Sequence, residues 1–119
     1  MQEHARDDEP THWDLMLQTG GLLRTYRLDS PPVELLDRPC TATKIDDHPL
    51  RFLRYQGSVN KGLGSVRIVD SGAYHLIDNS TDSFRLDFDG EVLRGQFHLT
   101  RVQGNEWEMK PSLNNTDAQ

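Results

Sequence analysis

In "THWDLMLQ" the apolar residues Trp13, Leu15 and Leu17 fall at every second position and alternate with His12, Asp14 and Met16. Successive side chains on a strand point to opposite faces, which predicts a half-buried strand with its apolar set turned inward. Gly20-Gly21 follows as a turn signal, and "LLRTYRL" then completes a predicted hairpin. "SPPVELLD" predicts a short helical turn, with Ser30 as its cap and proline at its start. "RPCTATKID" is expected to hold a short strand. "DDHPL" is expected to turn, because Pro49 biases His48 away from helical angles. "RFLRYQG" reads as another alternating strand and "SVNKGLGS" as a glycine-containing loop.

Downstream, "VRIVD", "AYHLID", "SFRLDF" and "EVLRGQFHLTRV" predict strands separated by turns, and "EWEMK" predicts a closing strand. Asp89-Gly90 is a hairpin signal, and Gly95 within its strand implies a bulge. The expected fold is all-β: a small antiparallel β-barrel of about eight short strands with one or two helical turns. The expected core contains Trp13, Leu15, Leu17, Leu23, Leu53, Val66, Ile68, Leu76, Phe84, Leu86 and Phe97. One domain over residues 1–111 is expected, with 112–119 as a disordered tail.

At 119 residues the chain is one domain by length and large enough to fold without staples. Its single cysteine, Cys40, excludes an internal disulfide and a thiolate metal cluster. Nothing near Cys40 in sequence activates it, so it is expected to be a structural or surface thiol. No apolar run approaches the roughly 18 residues of a membrane span. The polar start "MQEHARDDEP" does not resemble a signal peptide, so a cytoplasmic protein is expected. The net charge of −6 argues against tight nonspecific nucleic-acid binding. Local basic patches are Arg24 with Arg27, and Arg51 with Arg54 and Lys61; such groups commonly line a solvated sheet face.

His12 and Asp14 share the face opposite Trp13. Residues two apart on a strand stand about 7 Å apart at Cα, close enough for both tips to converge on one ion. An imidazole with a carboxylate suits Mn, Fe or Zn better than Ca. A third protein ligand is required, with His4 and His48 as candidates. Taken alone, such a pair is common surface chemistry, and His75 and His98 read as plain sheet residues.

In order along the chain, "QEH…HWDLMLQ", "GGLLRTYRLDSPP", "IDDHPLRFLRYQGSV", "GSVRIVDSGAYHL" and "LRGQFHLTRVQGNEWEMK" resemble the 3'-phosphoesterase domain of bacterial DNA ligase D. The resemblance runs from Gln2 to Lys110 and implies a small antiparallel β-barrel. It also implies manganese-dependent removal of a 3'-phosphate or 3'-ribonucleoside from DNA ends, and the expected cofactor is Mn (or Zn, by the donor types). Carried over, it implies His4, His12 and Asp14 as metal ligands and His48 as the histidine working at the phosphate. Seven residues separate His4 from His12, two more than is usual in the family.

The chain also departs from the family. Met16 stands where the family has a catalytic Arg, Phe52 where it has a Tyr, and Cys40 where it has a phosphate-gripping Arg, with Arg38 two residues away. The loop after "GSV" is shorter and lacks the family's Tyr. An acidic insertion, Asp7 to Glu9, brings negative charge towards the site, either as an extra ligand or as a repellent of phosphodiesters. Arg24, Arg38 and Arg54 are the candidates for substrate binding in place of the missing guanidinium.

Two functions follow. One is a metal-dependent DNA 3'-end phosphoesterase acting with repair proteins supplied in trans. The other is a weakly active or inactive barrel that binds a phosphorylated ligand, a nucleic-acid end or a repair partner. Neither involves a membrane.

Overall fold

The computed structural model describes residues 1–112 and is all-β. Ten strands form one antiparallel sheet: β1 Gln2–Arg6, β2 Glu9–Thr19, β3 Leu22–Leu28, β4 Cys40–Pro49, β5 Gly57–Val59, β6 Gly64–Ile68, β7 Gly72–Asn79, β8 Ser83–Gly90, β9 Arg94–Gln103 and β10 Glu106–Pro111. The order across the sheet is β5-β6-β1-β2-β3-β4-β10-β9-β8-β7. Among the described residues no ladder joins the two end strands. The β7 end is nevertheless tied to β2, because the Tyr74 hydroxyl donates to the Gln18 carbonyl at 2.7 Å.

Thr19 pairs with Leu22, so Gly20-Gly21 is a two-residue hairpin loop. Gly20 has φ 61, the left-handed value that the first position of a type II′ turn requires and glycine adopts without strain. Residues directly opposite in an antiparallel ladder share a face. The ladders therefore place Gln2, Asp14, Arg27 and Thr43 in one row, with His4 and His12 in the next.

The other face of β2 carries the core. Leu15, Leu17, Tyr26, Leu28, Ala42, Leu86, Phe97, Leu99, Trp107 and Met109 are buried there, with Trp13 and Phe84 packed against them. Burying each large apolar side chain contributes roughly 1.5–3 kcal/mol. Phe84 stacks on Trp107, and Trp107 meets Tyr26 edge-on.

Several expectations are corrected. Leu76 is exposed at 46% rather than core, because β7 is an end strand whose register slips between Leu76 and Asp78. "DDHP" belongs to the long strand β4, where Pro49 pairs with Leu22. The turn follows instead: "RFLRYQG" is not a strand, and Leu50–Arg54 form a 3-10 turn. Pro49, which lacks an N–H, ends the ladder, and the Gln2 amide fixes the turn by donating to the carbonyls of Phe52 (2.6 Å) and Tyr55 (2.9 Å). Pro32–Leu36 form the helical turn expected in "SPPVELLD", but Ser30 does not cap it. The turn expected at Asp89-Gly90 falls at 90–93, closed by the Gly90 N–H on the Leu93 carbonyl. Ser112, assigned to the tail, is buried and its amide donates to Gln96; residues 113–119 lie outside the described residues. Among the described residues no helix is long and apolar enough to cross a membrane.

Candidate metal centre

The β1–β2 hairpin builds the site. His4 sits directly opposite His12, and Gln2 opposite Asp14. The extra residues between His4 and His12 are absorbed in the hairpin. Its register shifts between His4 and Arg6, so the span from His4 to Arg6 faces the longer span from Glu9 to His12. Pro10 lies within that longer span, and a bulge tolerates a residue without an N–H.

His4 Nδ1 lies 2.9 Å from His12 Nε2, and the rings meet edge-on. His12 Nε2 lies 3.8 Å from Asp14 Oδ1. One ligand atom from each of His4, His12 and Asp14 falls within 4.8 Å of the others. Two nitrogens held on one ion at about 2.0–2.1 Å stand roughly 3 Å apart, so the spacing fits chelation. Asp14 is buried, while both histidines are half-buried.

Two features describe how His4 is packed. His4 Nε2 is buried with no hydrogen-bond partner among the described residues, an arrangement that ordinarily costs about 1–3 kcal/mol. Gly64 on β6 makes the room: a Cβ there would stand 2.8 Å from Arg6 Cγ and 3.4 Å from His4 Nε2. Burial is also the main influence on His12. It pulls the imidazole pKa below its ordinary value; the Asp14 carboxylate opposes this, and Arg27 and His4 reinforce it. His12 therefore stays in the neutral, ligating form further into acid.

Arg27 completes the row, its Nε 3.3 Å from Asp14 Oδ1. It holds the same carboxylate oxygen that faces His12, which fixes the position of Asp14. Sequence reasoning placed Arg27 only in a surface patch. The signal was present, because a two-residue hairpin at Gly20-Gly21 forces residue 14 to face residue 27.

The acidic insertion supplies no ligand in this arrangement. Asp8 and Glu9 pair with Arg6 at 2.9 and 3.8 Å. His48 also stands outside the three-ligand group. It pairs with Leu23 at the far end of β4, its Nδ1 faces the Asp46 carbonyl at 3.0 Å, and its ring packs edge-on against Phe52. Phe52 links it to the metal row, since its carbonyl receives the Gln2 amide and Gln2 faces Asp14.

The structure separates the three candidate arginines. Arg24 points to the opposite sheet face, opposite Leu17, with its guanidinium over the Phe84 ring at 5.2 Å. Arg38 is spread at the surface, 3.8 Å from both Glu34 and Asp37. Arg54 lines a cavity of about 350 Å³ together with Met16. Cys40 is buried beside Met109, and burial, with Asp29 and Glu108 adding to it, pushes its thiol up to about 12.

Residues 2–101 match the family model described as the DNA ligase D 3'-phosphoesterase domain. The chain is 29% identical over 120 residues to the multifunctional non-homologous end joining protein LigD of Mycolicibacterium smegmatis, covering 89% of this chain and 15% of that protein. It is 30% identical over 112 residues to the LigD protein of Pseudomonas aeruginosa, covering 86% of this chain and 13% of that protein. The chain thus spans less than a sixth of the curated relatives it matches. By the extent of the model match, the chain belongs to the DNA ligase D 3'-phosphoesterase domain family.

Proposed function

We propose that the protein is a metal-dependent phosphoesterase acting on DNA 3' ends, with Mn, or Zn, held by His4, His12 and Asp14. The observation that supports the reading is that His4, His12 and Asp14 each bring one donor atom within 4.8 Å of the others, a set of two imidazoles and a carboxylate that suits such an ion. The ion would supply Lewis-acid stabilisation of a phosphoryl oxygen, or a bound water of lowered pKa.

The remaining chemistry falls to the chain. Arg27 holds the Asp14 carboxylate in place, and Gln2 holds the 50–54 turn over the same face. His48 is the candidate for work at the phosphate. The Asp46 carbonyl accepts from its Nδ1–H, which leaves Nε2 as the working atom. The neutral ring offers a lone pair there, and only the protonated ring can donate to a phosphate oxygen or leaving group. DNA ends carrying a 3'-phosphate are the proposed substrate, and repair proteins the proposed partners.

Met16 favours a second reading, in which the same centre binds a phosphorylated end and turns it over slowly. It is buried at 7% exposure and places no charge in the row next to Asp14. Losing a donor to developing charge costs about 10²- to 10³-fold in rate. The test is release of phosphate from duplex DNA with a 3'-phosphate, with Mn and without, for wild type and His12→Ala. Mn-dependent release that disappears in His12→Ala supports the esterase. End binding that needs His12 without release supports the second reading.

A further inference from the structure

The cavity beside the metal row has a wall that neither reading above uses. β1 begins at Gln2, opposite Asp14, so β2 beyond Asp14 has no β1 partner on that side. The gap is bordered by Met1, Ile68 and the stretch Asp70–Tyr74, and it forms the cavity of about 350 Å³. Met16 and Leu53 line it from the metal-bearing side, and Phe88 and Leu93 from the core side. The wall is largely apolar.

Its charged groups are nearly all committed. Asp70 is buried, and its carboxylate oxygens accept the backbone N–H groups of Glu91, Val92 and Leu93 at 2.8, 3.0 and 2.8 Å. The Met1 ammonium donates to the Asp70 carbonyl at 2.6 Å. Arg27, across from Asp14, already serves that carboxylate. Arg54 is the exception: it lies on the cavity wall, is exposed, and makes no ion pair among the described residues. It is also positioned by its neighbours, because the carbonyls on either side, Phe52 and Tyr55, are both held by the Gln2 amide.

We propose that Arg54 binds the phosphate of the substrate at the cavity mouth beside Met16. The proposal rests on the phosphoesterase reading for the identity of the anion. The chemistry is that of the guanidinium: a permanently charged planar fork matched to phosphate oxygens. The location follows from the cavity, which puts this unpaired cation next to the side chain that follows Asp14 on the same face of β2. Arg51 is a built-in control. It lies in the same 3-10 turn and is exposed, but its guanidinium stacks on Phe52 at 5.1 Å and it does not line the cavity.

The experiment is a titration of the full chain with inorganic phosphate, without metal, following the arginine Nε–H resonances by NMR. A second arm measures binding of duplex DNA carrying a 3'-phosphate against the same duplex with a 3'-hydroxyl. Wild type, Arg54→Ala, Arg54→Lys and Arg51→Ala are compared. A saturable shift of the Arg54 resonance is expected, with about a tenfold loss of the 3'-phosphate preference in Arg54→Ala. Arg54→Lys should fall between, keeping the charge and losing the fork, and Arg51→Ala should match wild type. Equal losses in Arg51→Ala and Arg54→Ala would reduce the effect to diffuse charge and overturn the proposal. So would a silent Arg54 resonance, or a wild type with no phosphate preference. Neither arm needs turnover, so a protein that passes them and releases no phosphate with Mn contradicts the esterase reading and leaves Arg54 in place.

Discussion

Two buried carboxylates, Asp14 on β2 and Asp70 in the connection between β6 and β7, are built in opposite ways. Asp70 is 5% exposed and Asp14 is 6% exposed. Asp70 is saturated: three backbone N–H groups from the β8–β9 turn close on its two oxygens. Asp14 instead meets side chains: its Oδ1 lies 3.3 Å from Arg27 Nε and 3.8 Å from His12 Nε2, and His12 in turn meets His4. Burial is the same in both; satisfaction is not. A carboxylate whose lone pairs are filled by the backbone is a fastener. One whose oxygen lies within 4.8 Å of two imidazole nitrogens is a candidate ligand for a shared ion.

The sharpest break of this comparison is a pair of substitutions. His12→Ala removes a ligand and should weaken Mn or Zn binding by about 100-fold or more, while thermal stability changes little. Isothermal titration and a melting curve on the same sample check both parts. Asp70→Asn should do the reverse. It replaces one of the two acceptor oxygens with an NH2 group that cannot accept, and should cost about 2–4 kcal/mol of stability in denaturant while leaving metal affinity within twofold. If Asp70→Asn lost metal and His12→Ala lost stability, the roles assigned to the two centres would be exchanged.

Much of this was legible in the chain. The alternation of Trp13, Leu15 and Leu17 assigned the core face correctly, because a half-buried strand in the middle of a sheet leaves no other solution. His12 and Asp14 followed onto one face by parity alone. Arg27 was legible in principle and missed, since pairing arithmetic from the Gly20-Gly21 loop had to be carried along the whole hairpin. The same arithmetic sends Arg24 to the far face, opposite Leu17. Asp70 had no local signal at all. Its partners lie more than 20 residues away, and only the folded sheet brings the 90–93 turn to it. The same contact explains the displaced hairpin: Asp70 fixes the amides of residues 91–93, so the turn forms after Asp89-Gly90 rather than at it. Leu76 failed for a third reason. Alternation predicts a buried face only where a neighbouring layer exists, and end strand β7 lacks one there.

A smaller effect concerns the side chain beside Asp14. Met16→Arg adds a guanidinium to the cavity wall, where phosphoryl oxygens would gather charge, and should raise Mn-dependent phosphate release about tenfold. Asp8 and Glu9 are already engaged by Arg6, so a parallel variant with Asp7 and Glu9 neutralised should gain no more than Met16→Arg alone. No gain in either background would show that the cavity wall is not where charge develops.

The smallest effect comes from a third buried ionisable group, which has neither role. Cys40 has its thiol pushed up to about 12 in the folded state against an ordinary value of 9.0. The sign follows from linkage: below pH 9 the thiol is protonated in both states and costs nothing, whereas above it the unfolded chain gains by ionising a thiol that the fold keeps protonated, so the folded state loses stability. Stability should therefore be constant through neutral pH and fall as pH rises above 9, by less than about 1.4 kcal/mol between pH 9 and 10. Cys40→Ala should remove that part of the decline. Melting curves of the two proteins at pH 7, 9 and 10 measure it, and identical slopes would contradict the burial assigned to the thiol.

The central claim is that His4, His12 and Asp14 are one metal centre. Its most direct test is a crystal of the full chain grown with Mn and measured for anomalous scattering. The account predicts one strong anomalous peak bounded by an imidazole nitrogen of His4, His12 Nε2 and an Asp14 oxygen, at about 2.0–2.3 Å from each. A strong peak at other residues, or none between these three with Mn present, would contradict it.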